Sequence, residues 1–144
     1  MIGREQIAEL LPHRDPFLFV DRLVEHEPGV SAVGEHDVEP DAFWVPGHFP
    51  ERAVMPGVLI AETMAQVAAL VFLTANTERA GATVYLVGYD KLRFRRPVEP
   101  GQTLRVTATL ARARRRMWVF DVEATVEGER VASGSLMATV DQDD

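Results

Sequence analysis

The chain has 144 residues, 47% hydrophobic and 26% charged, a balance that fits one globular domain spanning residues 1–144. It holds no cysteine, which excludes disulfides, thiolate metal sites and a cysteine nucleophile. A net charge of −7 argues against non-specific nucleic-acid binding. Met1-Ile2-Gly3-Arg4-Glu5 carries no apolar signal core, so a cytoplasmic location is expected.

In chain order, Glu5 to Leu11 reads as a short helix stopped by Pro12. Phe17-Leu18-Phe19-Val20 has strand character, and Val30 to Val38 is a weaker strand. Glu39 to Pro50, rich in proline, reads as an irregular loop. Pro56 then stands just ahead of a long helix, where a missing N–H costs nothing. The run Gly57–Leu73 is apolar except for residues such as Glu62 and Gln66, which suits a buried core helix better than a membrane span. Thr83–Phe94 is a strand candidate, followed by a turn at Pro97–Gly101. Thr103–Leu110 alternates, Arg112–Arg116 makes a basic turn, and Trp118–Val126 alternates again. Glu127-Gly128-Glu129 turns into a last strand reaching Val140. One apolar helix followed by successive strands predicts an α+β domain in which a curved antiparallel sheet wraps a helix. A helix apolar on nearly all sides needs cover on nearly all sides, which hints at a second subunit.

Chemistry concentrates around the helix start. His48 sits in Pro46-Gly47-His48-Phe49-Pro50, a stiff turn suited to holding an imidazole in one orientation. Glu62 and Gln66, one helical turn apart, share a face. A carboxyl in apolar surroundings has a raised pKa and serves as a proton donor, although a lone Glu satisfied by the backbone or by Gln66 is the blander reading. Gly57 lies where helix N–H groups are unpaired and a carbonyl oxygen can approach. Base, acid and oxyanion donor together suit abstraction of a proton α to a carbonyl with loss of a β-leaving group. His13, His26 and His36 read as solvated or packed. Nine of the 15 basic residues lie between Lys91 and Arg116, where the single acid is Glu99. That patch is either a solvated strand edge or a docking surface for an acidic or phosphorylated partner.

Three segments carry a resemblance: Leu11-Pro12-His13-Arg14-Asp15-Pro16-Phe17-Leu18-Phe19-Val20-Asp21-Arg22; Gly47-His48-Phe49-Pro50 with Met55-Pro56-Gly57-Val58-Leu59-Ile60-Ala61-Glu62 and Ala65-Gln66; and Phe94-Arg95-Arg96-Pro97-Val98-Glu99-Pro100-Gly101. In order and spacing the chain resembles the FabZ-type 3-hydroxyacyl-[acyl-carrier-protein] dehydratases. The resemblance implies a hot-dog fold and a homodimer with joined sheets, often a trimer of dimers. It implies that His48 of one subunit, as base, works with Glu62 of the other, as acid. The substrate would be a (3R)-hydroxyacyl chain on the phosphopantetheine of acyl carrier protein, with no metal or redox cofactor. By the same match Gly57 supplies the oxyanion N–H, Phe49, Gln66 and Tyr85 contact substrate or its neighbours, and Arg93, Arg95 and Arg96 dock the carrier. Tyr85 falls near a tunnel-gating position of some relatives, with Tyr89 close by. Departures from the pattern are Glu51-Arg52-Ala53 after the histidine turn, Gln102, and Asp15. They bear on chain-length choice and on whether the pathway is fatty-acid or polyketide synthesis. The competing readings are a hot-dog thioesterase and a non-catalytic acyl-carrier binder. Glu62 argues against the bifunctional dehydratase/isomerase branch, which carries Asp there.

Overall fold

A computed structural model describes residues 1–48 and 51–140. Its main elements are α1 (Arg4–Leu10), β1 (Arg22–Glu27), β2 (Ser31–Asp37), α2 (Gly57–Ala75), β3 (Val84–Phe94), β4 (Thr103–Arg114), β5 (Met117–Val126) and β6 (Glu129–Val140). The six strands form one antiparallel sheet in the order β1-β2-β4-β5-β6-β3.

The sheet curves around α2, as the alternation of the later strands requires. Leu104, Val106 and Ala108 of β4 and Phe120, Val122 and Ala124 of β5 turn inward and are buried. From Leu59 to Leu73 every residue of α2 is buried except Glu62 and Ala65. Each fully buried Val or Leu contributes about 1.5–3 kcal/mol, so this one helix carries much of the stability. It packs tightly over Gly34 of β2, where a Cβ would lie 2.9 Å from Val67 Cγ2. Asn76 ends the helix, its Nδ2 donating to the Phe72 carbonyl at 2.9 Å.

Two expectations are corrected and one strand is new. Phe17–Val20 is not a strand: the Phe19 N–H and Phe17 C=O bond to the Gln66 side chain, at 2.8 and 2.9 Å, instead of to a neighbouring strand. Arg112–Arg116 is not a turn throughout, because β4 runs to Arg114 and only the tip turns. β1 was not anticipated; its outer half, Glu25-His26-Glu27, is exposed and has no apolar face to read.

β3 is an edge strand with Tyr85, Leu86 and Val87 exposed in succession. Two irregularities, at Leu86/Gly88 and Asp90/Arg93, bracket Tyr89. Bulges of this kind re-aim side chains, and Tyr89 turns toward α2. The register carries Met117 through Thr139 to Tyr85, so the β4–β5 hairpin and Tyr85 share one end of the sheet.

Candidate active site

Glu62 is half-buried on the one polar stripe of α2. Its Oε2 accepts from Gln66 Nε2 at 2.9 Å and lies 3.3 Å from His13 Nε2. The two bonds already noted from Gln66 to Phe17 and Phe19, with this one, use both its hydrogens and its oxygen. Gln66 therefore staples the segment before β1 to α2 and steadies Glu62 at once. Burial pushes the Glu62 carboxyl up, but the hydrogen bonds from His13 and Gln66 and the His13 charge outweigh it, and the net shift is downward. The expectation of a raised value is thus corrected: the helix surroundings are apolar, yet two polar side chains reach the carboxylate.

Tyr89 stands beside Glu62, its hydroxyl donating to the Ala61 carbonyl at 2.5 Å. Burial, then the Glu62 charge, push its phenol up to about 12, so it keeps its proton at neutral pH. Glu62 and Tyr89 line an apolar groove of about 490 Å³ with Gly57, Leu86 and Phe94 among its walls. Tyr85 is exposed on β3 outside that groove's lining.

His48 follows a short 3-10 turn, Val45–Gly47. Its Nδ1 is 2.7 Å from the Val54 carbonyl. A carbonyl only accepts, so the ring proton is on Nδ1 and Nε2 is the basic atom. His48 lines a cavity of about 360 Å³ with Val54, Gly57, Ile60, Phe94 and Arg95. This cavity and the Glu62 groove meet at Gly57 and Phe94. Glycine suits this junction, since a Cβ on residue 57 would stand 3.3 Å from the Phe94 ring and press on it. Gly57 is also the first residue of α2, where main-chain N–H groups point outward. Among the described residues of one chain, the side chains that reach the Glu62 carboxyl are His13 and Gln66. Phe49 lies outside the described residues.

Sequence reasoning missed His13. The signal was available: His13 lies between Pro12 and Pro16, the same kind of stiff frame that singled out His48. The departures from the pattern are tied into the fold. Arg52 grips Glu99 Oε2 from Nη2 at 2.8 Å, Gln102 Oε1 accepts from the Glu99 N–H at 2.8 Å, and Asp15 pairs with Arg4. Among the basic residues Arg96 pairs with Glu129 at 2.8 Å, while Arg93, Arg95, Arg112, Arg114 and Arg115 have no acidic partner among the described residues.

A long helix wrapped by a six-stranded antiparallel sheet defines a hot-dog protein. Solved structures share this fold. The dehydratase heterocomplex ApeI:P of Xenorhabdus doucetiae matches with a TM-score of 0.80 at 19% identity, covering 93% of this chain and 90% of that one. A hypothetical thioesterase with coenzyme A from Streptococcus pneumoniae matches with a TM-score of 0.64 at 14% identity, covering 83% and 84%. The family model of the FabA-like domain matches residues 11–135. The 3-hydroxyacyl-[acyl-carrier-protein] dehydratase FabZ of Herpetosiphon aurantiacus is 46% identical over 140 residues, 97% of this chain and 99% of that protein. The FabZ of Acidiphilium cryptum is 45% identical over 135 residues, 93% of this chain and 82% of that protein. The chain belongs to the FabZ-type 3-hydroxyacyl-[acyl-carrier-protein] dehydratase family.

Proposed function

We propose that the chain dehydrates (3R)-3-hydroxyacyl-acyl carrier protein to the trans-2-enoyl thioester, in fatty-acid or polyketide-type elongation, as a cytoplasmic homodimer needing no metal or redox cofactor. The observation that carries this is the anchoring of His48 Nδ1 on the Val54 carbonyl in a residue that lines a cavity meeting the Glu62 groove at Gly57 and Phe94. His48 Nε2 takes the α-proton, and its electron pair moves toward the thioester carbonyl, whose oxygen the Gly57 N–H stabilises. The C3–O bond then breaks as Glu62 protonates the departing hydroxyl, giving water and the conjugated C=C bond. Glu62 rests ionised in the single chain. Covering its groove with an acyl chain and a second subunit removes water and raises it toward the protonated form the reaction needs.

The edge position of β3 supports the dimer. An unpaired edge bearing Tyr85, Leu86 and Val87 is a template for strand addition. Antiparallel pairing about a two-fold sets the Tyr85 end of one β3 beside the Phe94 end of its partner. The β4–β5 hairpin of one subunit then flanks the site of the other. That hairpin presents Arg112, Arg114 and Arg115 over an apolar floor of Met117, Val119 and Met137. It fits an acidic carrier better than Arg96, which is already paired.

The deciding measurement is enoyl-thioester absorbance with 3-hydroxyacyl substrates of several lengths. Formation of the conjugated product supports the proposal. Thiol release without it identifies a thioesterase, and neither signal at any length leaves an acyl-carrier binder. Arg114→Glu with Arg115→Glu is expected to raise KM for carrier-bound substrate roughly tenfold, the size of a lost steering charge pair, and to leave KM for a pantetheine-linked analogue unchanged. An equal rise for both substrates would move docking elsewhere.

A further inference from the structure

His13 is brought onto Glu62 by the segment that follows α1 and stays partly open to solvent. Arg14 is turned away from the carboxyl, its Nη1 donating to the Leu11 and His13 carbonyls at 3.0 and 2.6 Å. The groups that face Glu62 are therefore His13 from this segment, Gln66 from the same helix and Tyr89 from β3. The Tyr89 hydroxyl donates to the Ala61 carbonyl, so it does not donate to the carboxyl.

Both donors converge on one oxygen. Gln66 Nε2 and His13 Nε2 both approach Oε2. The amide orientation of Gln66 is settled by the Phe19 N–H, which must meet its oxygen. The imidazole follows by elimination. An ionised carboxylate only accepts, so His13 Nε2 carries a proton and donates it to the hydrogen bond. Its Nδ1 is buried and has no hydrogen-bond partner among the described residues, so the ring's one polar contact there is the one Nε2 makes with Glu62.

We propose that His13 is a positioning residue for the acid: with Gln66 it pins Glu62 through Oε2, so that the proton delivered to the departing hydroxyl is carried on Oε1. The pin sets the rotation of the carboxyl as well as its place, and proton transfer is sensitive to both. It also stabilises the ionised form, so its removal has two separable effects. The turnover rate falls, and the carboxyl becomes easier to protonate. This inference rests on the dehydratase reading for its catalytic half only.

The test compares His13→Ala with His13→Gln, which restores an N–H donor. The carbon-13 resonance of the Glu62 carboxyl is titrated in the full-length protein, and kcat, KM and the pH profile are measured on a 3-hydroxyacyl thioester. His13→Ala is expected to lower kcat roughly 10- to 100-fold with little change in KM. Its Glu62 titration and the alkaline limb of its activity are expected to move to higher pH. His13→Gln is expected to recover much of the rate and to return the titration toward wild type. An unmoved titration in His13→Ala overturns the inference, as does an unchanged kcat. If His13→Ala does not fold, His13→Phe keeps the ring without the donor and is read in the same way. Should wild type show no dehydration, the proposed function fails, while the resonance titration still decides whether His13 holds Glu62.

Discussion

His48→Ala and Glu62→Gln are each expected to lower kcat/KM by roughly 10²–10⁴-fold, the range that positioned acid–base groups supply. Mixed together, the two inactive proteins are expected to regain activity. The reason lies in the proposed shared site, which takes its base, His48, from one chain and its acid, Glu62, from the other. A hybrid dimer then has one site carrying both lesions and one carrying neither. Random exchange makes half of the dimers hybrid, so about a quarter of all sites are intact. Mixing is followed by the enoyl absorbance, with subunit exchange shown independently by mass. Recovery near that fraction places the pair across the interface. Exchange without recovery places His48 and Glu62 of the same chain in one site, and near-normal turnover by either single variant removes that residue from the chemistry.

Much of this was legible in the residues, for physical reasons that also mark where legibility ends. α2 is readable because its apolar run is long and opens on Pro56-Gly57. β4, β5 and β6 are readable because one face of each meets the core and alternation records it. β1 is not, since its ladder with β2 is held by main-chain bonds while the outer side chains are charged and exposed. Phe17–Val20 misleads for the opposite reason. It is apolar because it lies against the core, yet its polar backbone groups are met by Gln66 from 47 and 49 residues away in sequence. A side-chain staple of that reach leaves no local pattern. The same distance hid His13. The frame around it was visible, but its partner was not, so the pKa of Glu62 was expected to follow burial alone.

Gln66 is where fold and site are least separable, and Gln66→Leu is expected to harm both. Leucine fills similar space but leaves the Phe19 N–H and the Phe17 C=O without their partner. Phe19 is only 3% exposed, so water replaces its bond poorly, whereas Phe17 is 46% exposed and its carbonyl is the more readily hydrated of the two. At about 1–3 kcal/mol for each abandoned group, a loss of about 3 kcal/mol is expected, or roughly 10 °C in melting temperature. A pH series separates this packing loss from the loss of support to Glu62. The folded carboxyl of Glu62 titrates below its ordinary value of 4.5, so it stabilises the fold above that pH, and the benefit disappears as pH falls through the folded value. Part of that benefit comes from Gln66. The stability gap between wild type and Gln66→Leu is therefore expected to be widest near neutral pH and to narrow on acidification, leaving the backbone component behind. Gln66→Glu sharpens the reading: it keeps an acceptor for the Phe19 N–H but sets a second carboxyl against Glu62 one turn away, so repulsion raises the pair and its stability is expected to improve, not decline, as pH drops toward 5. Melting curves across pH for the three proteins check this. A gap that is constant with pH would mean that Gln66 serves the chain fold alone and leaves Glu62 to His13.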